Sequence, residues 1–515
     1  MTDTLPRVTY SNIGADFSPL HAFLDREIPA FQNDMLGKDW ATPFATGPLA
    51  AVASPIDPAL ELGRFPVSTE ADVKAAVASA RKGAAVWNQA SLDDRLAFAA
   101  RWQAALDEAK YRLGIAALFE VGKSRTEAIG EAEEAVDMLD YYPAELKANA
   151  GYRREMIEMV PGETAISVQR PYGVFAVVAP FNFPVALSVG MLCGALLTGN
   201  AVVYKPSPEC QLTGLLLAET LRKAGLPEGV FNLVLGGAAT GEALTTDPGI
   251  DGVVFTGSHK TGMSIFRHMA ARPWMRPVIA EMGGKNPAYV TKNADIERAA
   301  AGVARSAYGL QGQKCSACSV VYVDNAVKDK FIEAFRAFAA TLQVGDPRDA
   351  ATFMGPLYND AAAARFSQAV AEARATGNVL LGGERIADLP GNYFAPTLVE
   401  MDGPSRLTRE ELFMPFLVLR GVDGLEAALA EGNDVSYGLS AGIFSQDQAE
   451  IDHFLTHAEA GVLYANRASG ATTGAWPGGQ PFCGWKGTGV GGKGGLGTWY
   501  LPQFMHEQSH TIMTV

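Results

Sequence analysis

Apolar residues follow two different spacings along the chain. Residues 70–150 are rich in alanine and repeat apolar side chains at helical intervals, as in RLAFAARWQAALDEAK, which predicts two or three long helices. From Tyr172 onward, short apolar runs such as VFAVVAP and AVVYKP alternate with helical segments. That alternation is typical of right-handed β-α-β crossovers and predicts a mainly parallel sheet.

A second alternating series is predicted to begin near Val278, in VIAEM, and to continue through NPAYV, SVVYV, VLLGG, FAPTLVE and FLVLRGV. Two α/β units are therefore the simplest interpretation of the chain. The sequence after Gly470 is rich in glycine and ends in HEQSHTIMTV, where polar and apolar residues alternate. This ending predicts a long loop followed by a terminal strand.

One uncharged stretch needs a separate interpretation. No charged residue occurs between Arg170 and Lys205, and the stretch exceeds the roughly 20 residues that span a bilayer. Prolines and glycines interrupt it, which favours a buried strand at 174–179, a helix at about 185–198 and a second strand at 201–204. The first residues, MTDTLPRVTYSNIGADF, lack the basic and apolar regions of a secretory signal.

Composition narrows the class of protein. At roughly 150 residues per domain, 515 residues predict about three units. Lysine and arginine number 42 and aspartate and glutamate 56, so the net charge is −14. This balance argues against a nucleic-acid or membrane partner, because both require a positive field. Five cysteines are too few for a disulfide framework in a chain of this length, and a reducing, cytoplasmic location is expected.

Cys315 is the candidate nucleophile. It lies in GLQGQKCSAC, a turn of small residues that leaves a thiol accessible to substrate, whereas Cys193 lies within a predicted helix. Cys315 and Cys318 form a C-x-x-C pair, which could also belong to a redox or zinc site. A second pair of ligands is missing, since Cys483 stands alone and the histidines show no complementary spacing. No metal site is therefore predicted.

Two further residues could act with this thiol. Glu281 ends an apolar run and is followed by two glycines, and burial raises the pKa of a glutamate toward the range of a general base. A hydrogen-bonded carboxylate at a strand end is the alternative interpretation. Asn182 lies between prolines in APFNFP, where its amide could donate to an oxyanion or simply form a turn.

Two segments could bind a dinucleotide. In FTGSHKTG an apolar run leads through Gly257 into a helix, whose N-terminus offers free N–H groups to a pyrophosphate. Lys205 follows the run AVVY and could bind a ribose at the carboxyl end of a strand, although a solvated lysine is the alternative. The G-x-G-x-x-G matches between Gly487 and Gly494 neither follow a strand nor begin a helix, so they do not predict a phosphate site.

Taken together, these fragments resemble one family. APFNFP, KPSPE, FTGSHKTG, EMGGKNP, GQKCSAC, EELFMP and QPFCGWK occur in the order and at about the spacings of the aldehyde dehydrogenase superfamily. GQKCSACS and GATTGAWPGGQPF are most similar to its 1-pyrroline-5-carboxylate (glutamate γ-semialdehyde) dehydrogenase branch. The resemblance implies an α/β fold with a Rossmann-type NAD(P)-binding domain (1–149 and 169–280), an α/β catalytic domain (281–469) and a small β oligomerisation flap (150–168 and 495–515).

The resemblance also implies roles for individual residues. Cys315 matches the catalytic thiol, Glu281 the general base and Asn182 the oxyanion donor. The residues that match cofactor-binding positions are Pro180, Phe181, Lys205, Ser207, Gly257, Ser258, Met282, Glu411 and Phe413. Those that match substrate-binding positions are Ser316, Gly474, Ala475 and Phe482. The implied reaction uses NAD or NADP to oxidise an aldehyde to a carboxylic acid through a thioester on the catalytic cysteine, in a homodimer or homotetramer.

Three departures from the family pattern leave the cofactor and the substrate open. Pro208 stands where many relatives that favour NAD have a glutamate, so both NAD and NADP are expected to be tolerated. Cys483 replaces a usual glycine. The loop 470–480 is longer than usual, and either of two glycine-alanine steps, at 470–471 or 474–475, could hold the α-carboxylate of the substrate.

Glutamate γ-semialdehyde is the substrate that the resemblance implies. Succinylglutamate semialdehyde and other aliphatic or aromatic aldehydes are alternatives that keep the same chemistry. A CoA-acylating enzyme is a further alternative, and the presence of Glu281 speaks against it because CoA would replace a deacylating base. A non-catalytic, cofactor-binding relative is the alternative from another class of protein.

Overall fold

The structure is a computed structural model that describes residues 5–12, 15–468 and 475–514. Its helices are α1 (Ser18–Met35), α2 (Glu70–Trp87), α3 (Leu92–Val121), α4 (Arg125–Ala148), α5 (Ala186–Leu197), α6 (Gln211–Ala224), α7 (Ala238–Thr246), α8 (His259–Ala270), α9 (Ile296–Tyr308), α10 (Lys328–Ala339), α11 (Asp360–Thr376), α12 (Arg406–Arg409), α13 (Leu425–Asn433) and α14 (Gln448–His457). Short 3-10 helices are formed by Ala150–Tyr152, Gly309–Gly312 and Leu501–Phe504.

The strands of the described residues build several sheets. They are β1 (Lys38–Asp39), β2 (Leu49–Ala53), β3 (Glu61–Pro66), β4 (Arg153–Glu155), β5 (Glu163–Pro171), β6 (Val174–Val178), β7 (Ala201–Lys205), β8 (Phe231–Leu233), β9 (Gly252–Thr256), β10 (Val278–Glu281), β11 (Asn286–Val290), β12 (Cys318–Asp324), β13 (Asn378–Leu381), β14 (Thr397–Glu400), β15 (Phe416–Val422), β16 (Tyr437–Gly438), β17 (Ser440–Phe444), β18 (Val462–Ala465), β19 (Trp485–Lys486) and β20 (Met505–Met513).

The helices α2, α3 and α4 confirm the helical prediction for residues 70–150. Thr69 and Ser91 form capping boxes with Asp72 and Asp94, so that backbone N–H groups at the starts of α2 and α3 have partners. Gly122 ends α3 with a φ of 77°, a left-handed conformation that glycine adopts without strain. Helix α4 then packs between α3 and α5, where it supplies one wall of the cavity described below.

A five-stranded parallel sheet forms the first α/β unit. Its strands lie in the order β10-β9-β6-β7-β8, and each neighbouring pair is parallel. The order therefore reverses between β6 and β9, and ligands of open parallel sheets bind beside such a point, outside the carboxyl ends of the strands. The uncharged stretch forms β6, α5 and β7, which confirms the predicted strand-helix-strand unit.

A seven-stranded sheet forms the second α/β unit, in the order β13-β14-β15-β12-β11-β17-β18. Strand β13 is antiparallel to β14, whereas β11, β12, β15 and β17 are parallel to their neighbours. The predicted start of this series near Val278 is wrong, because β10 pairs with β9 and places Val278 opposite Val253 in the first sheet. A short apolar run fits either sheet, so its pattern alone cannot show which neighbour it pairs with.

A smaller antiparallel sheet, in the order β20-β5-β4, lies beside these units. Strand β20 pairs with β5 from Met505 to Met513, which confirms the predicted terminal strand. The α/β fold is confirmed, while the domain boundaries given above stay predictions. None of the helices in the described part of the chain combines the length and the apolar content that a membrane crossing requires.

Candidate active site

Four predicted site residues lie at the carboxyl ends of strands in the first sheet. Asn182 follows β6, Lys205 is the last residue of β7 and Glu281 is the last residue of β10. Gly257 follows β9 and leads into α8. The parallel topology therefore brings these residues to one edge of the sheet, beside the reversal of strand order.

A cavity at this edge contains both Cys315 and Glu281. The predicted substrate residues that the structure describes also line it: Ser316, Ala475 and Phe482. Gly474, like the step at 470–471, lies outside the described residues. Much of the remaining lining is apolar, from α4, α5 and the chain around 495–500, and Glu134 and Lys314 also contribute to the wall.

The turn that carries Cys315 is fixed on both sides. Upstream, Gly312 has a φ of 66°, and a β-carbon there would collide with a backbone carbonyl oxygen. Downstream, Nδ2 of Asn286 donates to the carbonyl oxygens of Cys315 at 2.7 Å and Ala317 at 2.9 Å. Oδ1 of Asn286 accepts from the N–H of Ser440 at 3.1 Å. One buried amide thus joins β11 and β17 to the nucleophile turn.

Asn182 is buried against the same turn. Its Nδ2 donates to the carbonyl oxygen of Gln313 at 2.9 Å, two residues before Cys315. Since a side-chain amide has two N–H donors, this bond orients the amide and uses one of them. Gln313 is itself fixed, because its Oε1 accepts from the N–H of Tyr358 at 3.1 Å.

The electrostatics of the cavity favour the neutral forms of Glu281 and Cys315. Burial raises the pKa of Glu281 to about 7, although a hydrogen bond from the N–H of Gly495 at 2.9 Å favours the charged form. Burial also raises the pKa of the Cys315 thiol far above its usual range, and the carboxylates of Glu281 and Glu411 raise it further. The thiol therefore needs a base at neutral pH, and Glu281 has the pKa of one.

Lys205 is buried, so the alternative of a solvated lysine is wrong. Its Nζ donates to the carbonyl oxygens of Pro206 and Gly236, each at 2.9 Å, and burial lowers its pKa to about 8. Close by, the hydroxyl of Ser207 donates to the carboxylate of Glu209. Hydroxyl, amine and carboxylate groups thus stand together at the end of β7.

The turn between β9 and α8 has the geometry of an anion site. Ser258 is the N-cap of α8, where its hydroxyl accepts from the N–H of Thr261 at 3.3 Å. Gly262 lies one turn into the helix, and a β-carbon there would approach Sδ of Met282 to 2.5 Å. The helix therefore packs closely on the residue that follows β10, and its N-terminus faces the same edge as Glu281.

The loop 410–414 approaches this edge from the second unit. Glu411 accepts from the N–H of Gly284 at 2.9 Å, burial raises its pKa to about 7, and a β-carbon on Gly283 would overlap its carboxylate. Phe413 has a φ of 58° and packs edge-on against Phe181, with ring centroids 6.0 Å apart. The glycine pair after Met282 is therefore what lets this carboxylate come so near the strand end.

Asn286, Glu134 and Tyr10 are among the residues of the site that were not predicted from the sequence. Asn286 lies within the motif EMGGKNP, so the sequence indicated a position near the site. It did not indicate which groups the amide would bond. Glu134 lies in a predicted helix with several other acidic residues, and the local sequence does not distinguish it from them. Tyr10 lies in the N-terminal segment, where no motif marked it. Both Glu134 and Tyr10 line the cavity.

Comparisons with known proteins identify the family of the chain. The model of the aldehyde dehydrogenase family matches residues 45–509. The chain belongs to the aldehyde dehydrogenase family. It is an NAD(P)-dependent oxidoreductase, and the resemblance seen in its motifs is confirmed.

Individual relatives of this aldehyde dehydrogenase carry two related names. It is 34% identical over 466 residues to a 1-pyrroline-5-carboxylate dehydrogenase of Geobacillus thermodenitrificans (strain NG80-2), covering 89% of this chain and 88% of that protein. It is 38% identical over 432 residues to an N-succinylglutamate 5-semialdehyde dehydrogenase of Caulobacter sp. (strain K31), covering 83% and 87%. The solved 1-pyrroline-5-carboxylate dehydrogenase from Thermus with bound NAD is 29% identical with a TM-score of 0.91, covering 99% of this chain and all of that one.

We expect Asn286→Ala to lower kcat for aldehyde oxidation by about 10- to 100-fold, because loss of its hydrogen bonds frees the nucleophile turn. Alkylation of Cys315 by iodoacetamide should slow in parallel, while the affinity for NAD, measured by fluorescence quenching, stays unchanged. Asn325→Ala is the control, since that amide bonds an exposed aspartate. Wild-type alkylation and wild-type kcat in the Asn286 variant would contradict a positioning role.

Proposed function

We propose that this aldehyde dehydrogenase oxidises L-glutamate γ-semialdehyde to glutamate, with NAD or NADP, through a thioester on Cys315. The observation that carries the proposal is the cavity shared by Cys315 and Glu281, in which a thiol needs a base and a carboxyl group has the pKa of one. The name of the Geobacillus relative supports the choice of aldehyde.

In the first step the Cys315 thiol gives its proton to Glu281 and its sulfur attacks the aldehyde carbon. The oxygen that gains charge accepts hydrogen bonds from the Asn182 amide and from the N–H of Cys315, which lowers the barrier because these donors are already oriented. The bond from Asn182 to the carbonyl oxygen of Gln313 supports this role, since it fixes the amide beside the turn.

When bound, the nicotinamide supplies the acceptor for the hydride that leaves the aldehyde carbon. The acyl group then remains on the sulfur of Cys315. Glu281 releases the proton of the thiol to solvent and then takes a proton from a water molecule, whose oxygen attacks the thioester carbon. The carboxylic acid leaves as the carbon–sulfur bond breaks, and Glu281 returns that proton to the sulfur of Cys315. A base on a buried strand end, held by the N–H of Gly495, can stay in place between these proton transfers.

The residues at the sheet edge fit a dinucleotide cofactor. Lys205 and Ser207 offer an amine and a hydroxyl to the adenosine ribose, and Gly257 and Ser258 offer the N-terminus of α8 to the pyrophosphate. Glu411 offers a carboxylate to the nicotinamide ribose. The remaining matched positions border this surface: Pro180, Phe181, Met282 and Phe413.

We propose that the enzyme uses either NAD or NADP. Pro208 leaves the position after Ser207 without a side-chain acceptor, while the carboxylate of Glu209 accepts from the Ser207 hydroxyl. A carboxylate there accepts from ribose hydroxyls and repels a 2′-phosphate, which favours NAD. Lys205 adds a positive charge to the same place, which offsets part of that repulsion.

Succinylglutamate semialdehyde is the second candidate substrate, and the 38% identity to the Caulobacter relative favours it. The two aldehydes share the reacting group and differ at the remote nitrogen, which succinylation makes neutral and bulky. In either case we propose that Ser316, Ala475 and Phe482 border the aldehyde.

We also propose the domain division, the assembly and the location that the resemblance implies. The five-stranded sheet, the seven-stranded sheet and the β20-β5-β4 sheet support this division, with a cofactor domain at 1–149 and 169–280, a catalytic domain at 281–469 and a flap at 150–168 and 495–515. Exposed apolar side chains on the flap support a homodimer or homotetramer: Met156, Ile157, Met159, Val160, Ile512 and Met513. All five cysteines are free, which supports a cytoplasmic location.

A panel of aldehydes tests the proposed function. The panel contains L-glutamate γ-semialdehyde, succinylglutamate semialdehyde, pentanal and benzaldehyde, each measured with NAD and with NADP by absorbance of the reduced cofactor. We expect L-glutamate γ-semialdehyde to give the highest kcat/KM of the four.

Cys315→Ala should abolish turnover and leave cofactor binding intact, because the thiol forms the covalent bond. Cys318→Ala, in which a buried thiol of β12 is lost, is the matched control. No turnover of glutamate γ-semialdehyde, or full activity without Cys315, would contradict the proposal.

We expect kcat/KM for pentanal to rise with pH and to level off above a midpoint near pH 7. The raised pKa of Glu281 leaves the carboxyl group protonated below that pH, where it cannot accept a proton. Pentanal cannot cyclise to an imine, so the pH dependence of its kcat/KM reflects ionisation of the protein and not of the substrate. Glu281→Gln should lower the rate by about 10²- to 10⁴-fold and remove this limb. Glu242→Gln, at an exposed position, should keep it. An unchanged profile in the Glu281 variant would exclude Glu281 as the base.

A further inference from the structure

The N-terminal segment docks onto helix α4. Arg7 donates to Glu133 at 3.1 Å and to Asp137 at 2.7 Å, two acceptors one helical turn apart. Gly130 lies on the same face, and a β-carbon there would come within 3.4 Å of the buried side chain of Val8. Charge pairing and close packing together hold the segment along the helix.

The docked segment carries Tyr10 to the cavity of Cys315. The ring of Tyr10 packs edge-on against Phe183 and Trp476, with centroids 6.3 Å and 5.3 Å away. Its hydroxyl donates to Oε2 of Glu134 at 2.6 Å. Tyr10 and Glu134 both line the cavity, so the segment supplies part of its wall and a hydrogen bond to one of its ionisable groups.

Glu134 is a polar group in a largely apolar part of that wall. Burial raises its pKa to about 7, and the hydrogen bond from Tyr10 opposes the shift by favouring the carboxylate. The bond also engages Oε2, so it limits the directions in which the carboxyl group can face. Without the hydroxyl, the same carboxyl group would lose its oriented donor and part of the stabilisation of its charge.

We propose that Tyr10 is a specificity-determining residue, which orients Glu134 in the aldehyde cavity and forms a wall of that cavity with its ring. The inference rests on the proposed function, since it takes this cavity as the aldehyde site. A polar aldehyde offers hydrogen-bond partners to the buried carboxyl group of Glu134, whereas an apolar aldehyde covers that group and offers it none. The N-terminal segment therefore makes the enzyme select polar aldehydes over apolar ones of similar length.

Tyr10→Phe tests the hydroxyl alone, because the ring and its packing remain. We expect KM for L-glutamate γ-semialdehyde to rise about tenfold with little change in kcat, since a hydrogen bond to a charged group is lost. The kcat/KM for pentanal should stay at the wild-type value. Tyr111→Phe is the matched control, because that partly buried tyrosine packs on Phe23 with centroids 5.0 Å apart and does not line the cavity.

Tyr10→Ala tests the wall. We expect kcat/KM for pentanal to rise as the cavity gains room, while kcat/KM for the polar aldehyde falls. Wild-type ratios of the two kcat/KM values in both variants would overturn the inference. Equal losses for the two aldehydes would overturn it as well, since they would show that Tyr10 only supports the fold. Wild-type enzyme that oxidises neither aldehyde would overturn the proposed function and this inference with it.

Discussion

Removal of the Glu281 carboxyl group from water sets the chemistry of this site. Burial raises its pKa to about 7, against a hydrogen bond from the N–H of Gly495 that favours the charged form. The same dry surroundings raise the pKa of the Cys315 thiol, so the nucleophile is neutral until a base takes its proton. A solvated glutamate would be a weaker base, and a solvated thiol would lose its proton more readily. The desolvated cavity therefore makes the two groups depend on each other.

The sheet topology creates that cavity from distant parts of the chain. The strand order reverses between β6 and β9, and Asn182, Lys205 and Glu281 lie along the edge of the sheet beside this point. The second sheet supplies the nucleophile turn, and Asn286 at the start of β11 ties that turn to its own sheet. Glu281 and Cys315 thus stand beside strands of different sheets, and their alignment depends on how rigidly each is held at its strand.

Local patterns in the sequence predicted most of the elements and the reacting groups, because helices, buried strands and a cysteine in a small-residue turn leave local signals. The sheet joined by the strand at Val278 was predicted wrongly, since strand pairing is a long-range choice that a four-residue run does not encode. The role of Asn286 follows from three hydrogen bonds that exist only in the folded chain. Tyr10 left no signal, because its partner Glu134 is 124 residues away.

In the proposed reaction the acyl group rests on Cys315 until Glu281 activates water. Intact-protein mass spectrometry of Glu281→Gln, mixed with L-glutamate γ-semialdehyde and NAD, tests this most directly. We expect a covalent acyl adduct that forms slowly, because the variant also lacks the base for the thiol, and that persists, because no base activates water. Peptide mapping should place it on Cys315, and Cys315→Ala should abolish it. Turnover at the wild-type rate without an adduct, or an adduct on another residue, would contradict it.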